Sequence, residues 1–194
     1  MKKILLVAVL TLFTFALKAQ QYHNGHEYVD LGLSVKWATC NIGATSPEDY
    51  GAYFAWGEIS IKSSYNTTKY TATPEILPLS NDAANANWGG NWRMPTRTEI
   101  EELMLNCTWD WAILNGVKGP KVTSKINGNS IFIPAAGFRV GDNLNNAGSL
   151  GNYWSSSSKM NDNYNTYGLS FNSSNVGWGI NGRYIGLSVR AVCE

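Results

Sequence analysis

Residues 151–193 read GNYWSSSSKMNDNYNTYGLSFNSSNVGWGINGRYIGLSVRAVC. Four apolar-alternating segments stand out in this stretch: Asn152 to Ser156, Tyr167 to Phe171, Val176 to Ile180 and Ile185 to Val192. Segments of this length, separated by Gly, Asn and Ser, read as short strands joined by tight turns, so antiparallel pairing is expected. With a period of two, Leu169, Phe171, Val176 and Trp178 point inward and their neighbours face solvent. That leaves Lys159, Asn161, Asn163, Tyr164, Asn165, Ser170, Gly177, Gly179, Ile180, Asn181 and Tyr184 as exposed or loop positions, and these are the candidate ligand-binding residues. From Gly141 onward the chain is mostly Asn, Ser, Gly and Tyr, and its only charged residues are Asp142, Lys159, Asp162, Arg183, Arg190 and Glu194. Aromatic side chains supply contact area at low entropy cost, while Ser, Gly and Asn supply adaptable hydrogen bonds, the mixture found in paratopes.

Working back from this stretch, Asn127-Gly128 between Lys121–Ile126 and Ser130–Ile133 is a hairpin signal. Before it lies the clearest helix, spanning about residues 96–107. Thr96 and Glu99 form a capping box, and Ile100, Leu103, Met104 and Cys107 fall on one stripe. Asp82 to Ala86 reads as a short helix, and Ser46-Pro47-Glu48-Asp49 has the form of another helix start. Glu27–Leu31, Ser34–Ala38 and Ala52–Trp56 read as strands, and residues 60–80 as a surface excursion. The fold class expected is α+β: mostly antiparallel short strands with one clear helix and one or two short ones.

The N-terminus carries Lys2 and Lys3, an apolar run from Ile4 to Leu17, and Ala19-Gln20. This is the form of a secretory signal peptide, residues 1–19, leaving residues 20–194 as a single domain. No second apolar run follows, so no membrane insertion is expected. Residues 20–194 hold 12 Lys and Arg against 14 Asp and Glu. That balance excludes a basic stripe for nucleic acid. Cys40, Cys107 and Cys193 permit one disulfide in an oxidising compartment, with three pairs open and Cys40–Cys107 preferred. A catalytic cysteine needs a base, and the only histidines are His23 and His26, beside the cleavage site.

Five ordered blocks carry a family resemblance: Val35-Lys36-Trp37-Ala38-Thr39-Cys40-Asn41-Ile42-Gly43, Tyr53-Phe54-Ala55-Trp56-Gly57-Glu58, Trp92-Arg93-Met94-Pro95-Thr96, Tyr153-Trp154-Ser155-Ser156-Ser157 and Ser188-Val189-Arg190. They resemble the Fibrobacter succinogenes major paralogous domain of secreted Bacteroidetes-type proteins. The resemblance implies a C-type-lectin-like fold in which N- and C-terminal strands pair and long loops rise from the last strands. The chain is also similar to the variable proteins of diversity-generating retroelements, which keep a fixed scaffold and rewrite a C-terminal binding face, Asn codons above all. Two departures limit what is carried over. A calcium-dependent sugar site wants several converging acids, and beyond Gly141 only Asp142, Asp162 and Glu194 are acidic. The formylglycine-generating enzymes of related fold use a cysteine pair near the C-terminus, where Cys193 stands alone.

Trp37, Trp56, Trp92 and Trp154 are expected in the scaffold, and Arg93 and Arg190 tie loop carbonyls or an acid such as Glu58. The function expected is a secreted, non-catalytic module at the cell surface, in the periplasm or beyond, that binds an extracellular protein or glycan without metal or cofactor. Two rival readings are a structural or adhesive surface component and a hydrolase using Asp142 with Asp162.

Overall fold

The computed structural model describes residues 20–67 and 74–194. Residues 1–19, read as a signal peptide, and part of the excursion at 60–80 lie outside the described residues. Most of the described regular structure is strand, arranged in four sheets, with two α-helices.

The first sheet joins β1 (Gln21–His23), β2 (His26–Val29), β3 (Lys36–Asn41) and β14 (Arg190–Cys193), in that order and all antiparallel. Early and late segments of the chain thus share one sheet, with Val192 opposite Trp37. The second sheet runs β12 (Val176–Gly182), β11 (Asn165–Phe171), β10 (Gly151–Ser158), β13 (Leu187–Ser188) and β4 (Tyr53–Phe54). One pair in it departs from the antiparallel expectation: β13 lies parallel to β10, with Ser188 opposite Tyr153. The segment read as one strand from Ile185 to Val192 is two. Leu187–Ser188 completes the second sheet, and after Val189 the chain crosses to the first.

Neighbouring residues on these strands feed different cores, as strand alternation requires. Tyr153, Leu169, Phe171, Trp37 and Val192 join one cluster with Ile100 and Leu103. Trp154, Ala38, Ala191 and Cys193 join another with Phe54, Trp56, Trp92 and Met94. All eight residues of β10 are buried, its four serines included. Each serine is bonded or paired: Ser155 Oγ accepts from Ser157 N–H, Ser156 Oγ donates to Pro95 O, Ser157 Oγ accepts from Arg97 N–H, and Ser158 pairs with Thr166.

The helix α2 (Arg97–Asn106) starts on the expected capping box, Thr96 Oγ1 accepting from Glu99 N–H and Glu99 accepting from Thr96 N–H. Ile100 and Leu103 are its buried face. The short helix α1 (Ala83–Trp88) is capped by buried Asp82, whose carboxylate accepts from Ala84 and Asn85 N–H and also from Met94 N–H. Ser46-Pro47-Glu48-Asp49 does not start a helix. The Asp49 carboxylate reaches back to Thr45 and Ser46 N–H and closes a turn instead. β4 is also shorter than the strand expected at 52–56.

A third sheet holds β5 (Cys107–Leu114), β6 (Val117–Ser124) and β7 (Ser130–Phe132). The β6–β7 pair is the hairpin expected around Asn127-Gly128. The longer β5–β6 hairpin was not anticipated. It turns on Asn115 and Gly116, both at positive φ (47° and 86°), the conformation a two-residue hairpin loop requires. A last two-stranded sheet pairs β8 (Phe138–Val140) with β9 (Asn143–Asn145).

All three cysteines are free thiols, which corrects the expected Cys40–Cys107 bridge. Cys107 sits in the first core cluster and Cys193 in the second, while Cys40 lies half-buried on β3. Burial pushes Cys107 up to about 11 and also raises Cys193, so neither presents a thiolate at neutral pH. Among the described residues no helix is long and apolar enough to cross a membrane.

Candidate ligand-binding surface

Between β10 and β11 the chain leaves the buried sheet and forms a loop at 159–164 before re-entering it at Asn165. Asp162 organises this loop. Its Oδ1 accepts from Tyr164 N–H (3.0 Å) and Asn165 N–H (2.8 Å), and its Oδ2 meets Lys159 Nζ at 2.9 Å. The Lys159 contact, then those two N–H groups, hold the Asp162 carboxyl well below the usual carboxylate range. Asn161 takes a positive φ of 59°, which Asn tolerates better than other side chains.

Arg183 fixes the loop from beneath. Its side chain is buried, stacked 4.5 Å from the Trp56 ring, and donates to Asp162 O at 2.8 Å. Its backbone continues the brace, accepting from Trp56 N–H and donating to Tyr164 O. Trp56 Nε1 in turn donates to Ser155 O on β10. The loop is therefore anchored to the sheet through Asp162 and Arg183, and Met160, Asn161, Asn163 and Tyr164 are left exposed. Met160 is 73% and Tyr164 61% exposed. Lys159, Asn161 and Asn163 line a cleft of ≈ 270 Å³ with Glu75, Ser158 and Arg183.

The other candidate residues divide between the two faces of the β11–β12 ribbon. Ile180, opposite Tyr167, shares its face with Val176 and Trp178 and is 60% exposed. On that face the Arg97 guanidinium lies 4.3 Å from the Tyr167 ring and 5.1 Å from Trp178. Ser170, Gly177, Gly179 and Asn181 lie on the opposite face, half-buried rather than exposed. Asn181 lays its amide over the glycines, and a Cβ added at Gly179 would meet its Nδ2 at 3.0 Å. Asn165 is half-buried too, its amide held by Asp162, and half-buried Tyr184 packs on Gly182, where a Cβ would stand 2.6 Å from the ring. The candidates therefore form a loop cluster and two ribbon faces, not one patch.

The chain matches no family model, no curated protein and no solved structure. The chemistry is accordingly read from its own residues. Asp142 lies exposed on the β8–β9 turn, and every contact of the Asp162 carboxylate is with its own loop or with Asn165 at the start of β11. Tyr153, buried and pushed up to about 12 by desolvation, donates to Pro134 O and accepts from Asn41, which makes it a pin between loops. Arg190 is buried with donors on Ala38 O, Thr39 O and Asn41 Oδ1, the tying role expected of it. Arg93 pairs with Glu99, while Glu58 pairs with Lys62.

Sequence reasoning did not anticipate an aromatic cleft at the far end of the ribbon. Trp109 and Trp111 on β5, Pro120 on β6, and Phe171 to Val176 around the β11–β12 turn enclose a cleft of ≈ 100 Å³. The signal that could have found it was Asn115-Gly116, a second hairpin turn that places both tryptophans on one face of a strand.

Proposed function

We propose that the protein is an exported, non-catalytic binding module of the Fibrobacter succinogenes major paralogous domain type, with a C-type-lectin-like fold, that grips a protein partner through loop 159–164. The observation that carries this reading is the contrast within one loop: Asp162 and Arg183 are bound tightly inward, while Met160 and Tyr164 stand in solvent. A braced loop presenting large side chains loses little entropy on binding, and affinity then comes from a few anchors rather than from area. Apolar Met160 and Ile180 favour a protein surface over a glycan. The pairing of β3 with β14 and the loops rising between late strands support the lectin-like fold.

The carboxylate-hydrolase reading has less support, because Asp162 spends its oxygens on Lys159 and on backbone N–H groups. A general acid needs a pKa raised toward neutrality, and this one is lowered. In the retroelement variable proteins that the chain resembles, codon changes fall on such a face. Sequencing the 3′ end of the gene and its flanks across one growing population tests whether changes cluster at codons 153–187.

The direct test is a triple variant, Met160→Ser, Tyr164→Ser and Ile180→Ser, compared with the parent for capture of surface and secreted proteins from co-resident cells. All three side chains are exposed, so the melting temperature is expected to hold. Loss of partners at unchanged stability supports the assignment. Retention of every partner sinks it.

A further inference from the structure

The cleft at the other end of the β11–β12 ribbon has a different chemistry. β11 is seven residues long, so its Phe171 end lies roughly 20 Å from Asn165, where the loop at 159–164 ends. One wall is aromatic. Trp109 and Trp111 alternate onto the same face of β5, Trp109 contacts Phe171 with ring centroids 5.7 Å apart, and Pro120 stands opposite Trp111 in the hairpin. The other wall is the turn Asn172-Ser173-Ser174-Asn175, all four exposed. Asp110, the acid between the two tryptophans, alternates to the far face of the strand, and no charged residue lines the cleft.

The turn is braced by its own hydrogen bonds. Asn172 Oδ1 accepts from Ser174 N–H (2.8 Å) and Asn175 N–H (2.9 Å), and Asn172 N–H donates to Asn175 O at 2.9 Å. This leaves the Asn172 amide nitrogen, the Ser173 and Ser174 hydroxyls and the Asn175 side chain facing outward as donors and acceptors. The indole N–H of Trp109 is buried and has no acceptor among the described residues. It is therefore the indole ring of Trp109, and not its N–H, that the cleft presents to a ligand.

We propose that this cleft binds a neutral pyranose ring of a glycan, independently of the protein-binding loop. A flat C–H face of a sugar matches an indole wall, and its ring hydroxyls match a rim of amides and hydroxyls. A charged ligand finds no counter-ion here, and a peptide side chain would leave most of the polar rim unused. At about 10–15 Å³ of such volume per water, ≈ 100 Å³ is the room of several waters, which suits one ring and not an extended chain.

The test uses the whole protein with nitrogen-15-labelled indoles, titrated with methyl glucoside, methyl galactoside, methyl mannoside and N-acetylglucosamine, and with cyclohexanol as an apolar ring of similar size. Indole signals are assigned by single Trp→Phe changes. The expected result is a shift of the Trp109 and Trp111 indole N–H signals with at least one sugar, with a dissociation constant on the order of 1 mM, while the buried Trp37 signal stays fixed. Trp111→Ala is expected to weaken that sugar at least tenfold. Should Trp111→Ala fail to fold, Ser174→Ala with Asn175→Ala, both on the exposed rim, should weaken it several-fold. The loop variant of Met160, Tyr164 and Ile180 should bind the sugar as the parent does, so that failure of the loop assignment leaves this one standing. Shifts with no sugar, shifts with cyclohexanol as strong as with every sugar, or rim variants that bind unchanged would each overturn the proposal.

Discussion

β10 and the β11–β12 ribbon are built from the same few residue types and use them in opposite ways. In β10, Asn, Tyr, Trp and four serines are buried, and the serines bond to neighbouring backbone or pair with Thr166. In the ribbon and its flanking loops, Asn, Tyr, Trp and Ser sit half-buried or exposed. Burial decides which role a polar aromatic sequence plays. A buried amide or hydroxyl left without a partner costs about 1–3 kcal/mol, so the buried strand must specify its partners. The ribbon meets that demand at fewer positions, chiefly Thr166, whose Oγ1 donates to Ser157 O, and its exposed turn and loop residues keep polar groups available to a ligand.

Tryptophan substitution should separate the two regions most sharply. Trp154 is fully buried and its Nε1 donates to Phe54 O, so Trp154→Ala is expected to cost about 3–5 kcal/mol by chemical denaturation. Trp178 is half-buried on an edge strand against Tyr167 and Arg97, and Trp178→Ala should cost only about 1–2 kcal/mol. Equal losses would break the comparison. Glycine gives a smaller contrast of the same kind. A Cβ at Gly151 would lie 2.0 Å from the Phe171 ring, so Gly151→Ala should destabilise by about 1–3 kcal/mol. At Gly177 nothing lies within 4 Å, and Gly177→Ala should stay within about 0.5 kcal/mol.

The loop at 159–164 sharpens the comparison locally. Asp162→Asn removes the carboxylate that holds Tyr164 and Asn165 N–H, and exchange of those two amides should quicken about tenfold while the β10 amides are unchanged. The pH dependence has a definite sign. The folded pKa of Asp162 lies below its ordinary 3.8, so its anchorage is complete above that value and lost as pH falls through the lower one. Between pH 5 and 8 the loop's exchange protection should therefore be flat once corrected for the intrinsic rate. The smallest effect is expected for Tyr164→Ala, with a melting temperature indistinguishable from the parent.

Much of this was legible where the cause is local. Thr96 and Glu99 announce their helix because both cap bonds are made within four residues, and Asp82 does the same for α1. The β11–β12 ribbon follows from alternation at Leu169, Phe171, Val176 and Trp178. Reading failed where a distant contact overrode the local signal. β6 runs through Gly119-Pro120 because Gly119 lets the backbone of Ile133 pass, a Cβ there lying 2.2 Å from Ile133 O. The aromatic cleft of Trp109 and Trp111 depends on that strand and on the Asn115-Gly116 turn that pairs it with β5. Asp49 folding back onto Thr45 hid a turn behind a helix signature. Among the candidate site residues, exposure was legible for Asn161, Asn163, Tyr164 and Ile180. For Asn181 it was not, since its amide settles onto glycines contributed by both ribbon strands.

The crossing at Val189 ties the melting behaviour of the molecule to a single residue. Leu187–Ser188 is a rung between β10 and β4, and Arg190–Cys193 is the edge partner of β3, so one continuous run is stitched into two sheets and pairs in each with a strand from far earlier in the chain, β4 in one and β3 in the other. Contacts of such long separation make for slow closure. They also forbid piecemeal opening, because withdrawing either half of the run pulls on the other. Calorimetry of the intact domain should accordingly give one heat-absorption peak, with both sheets released in the same cooperative step.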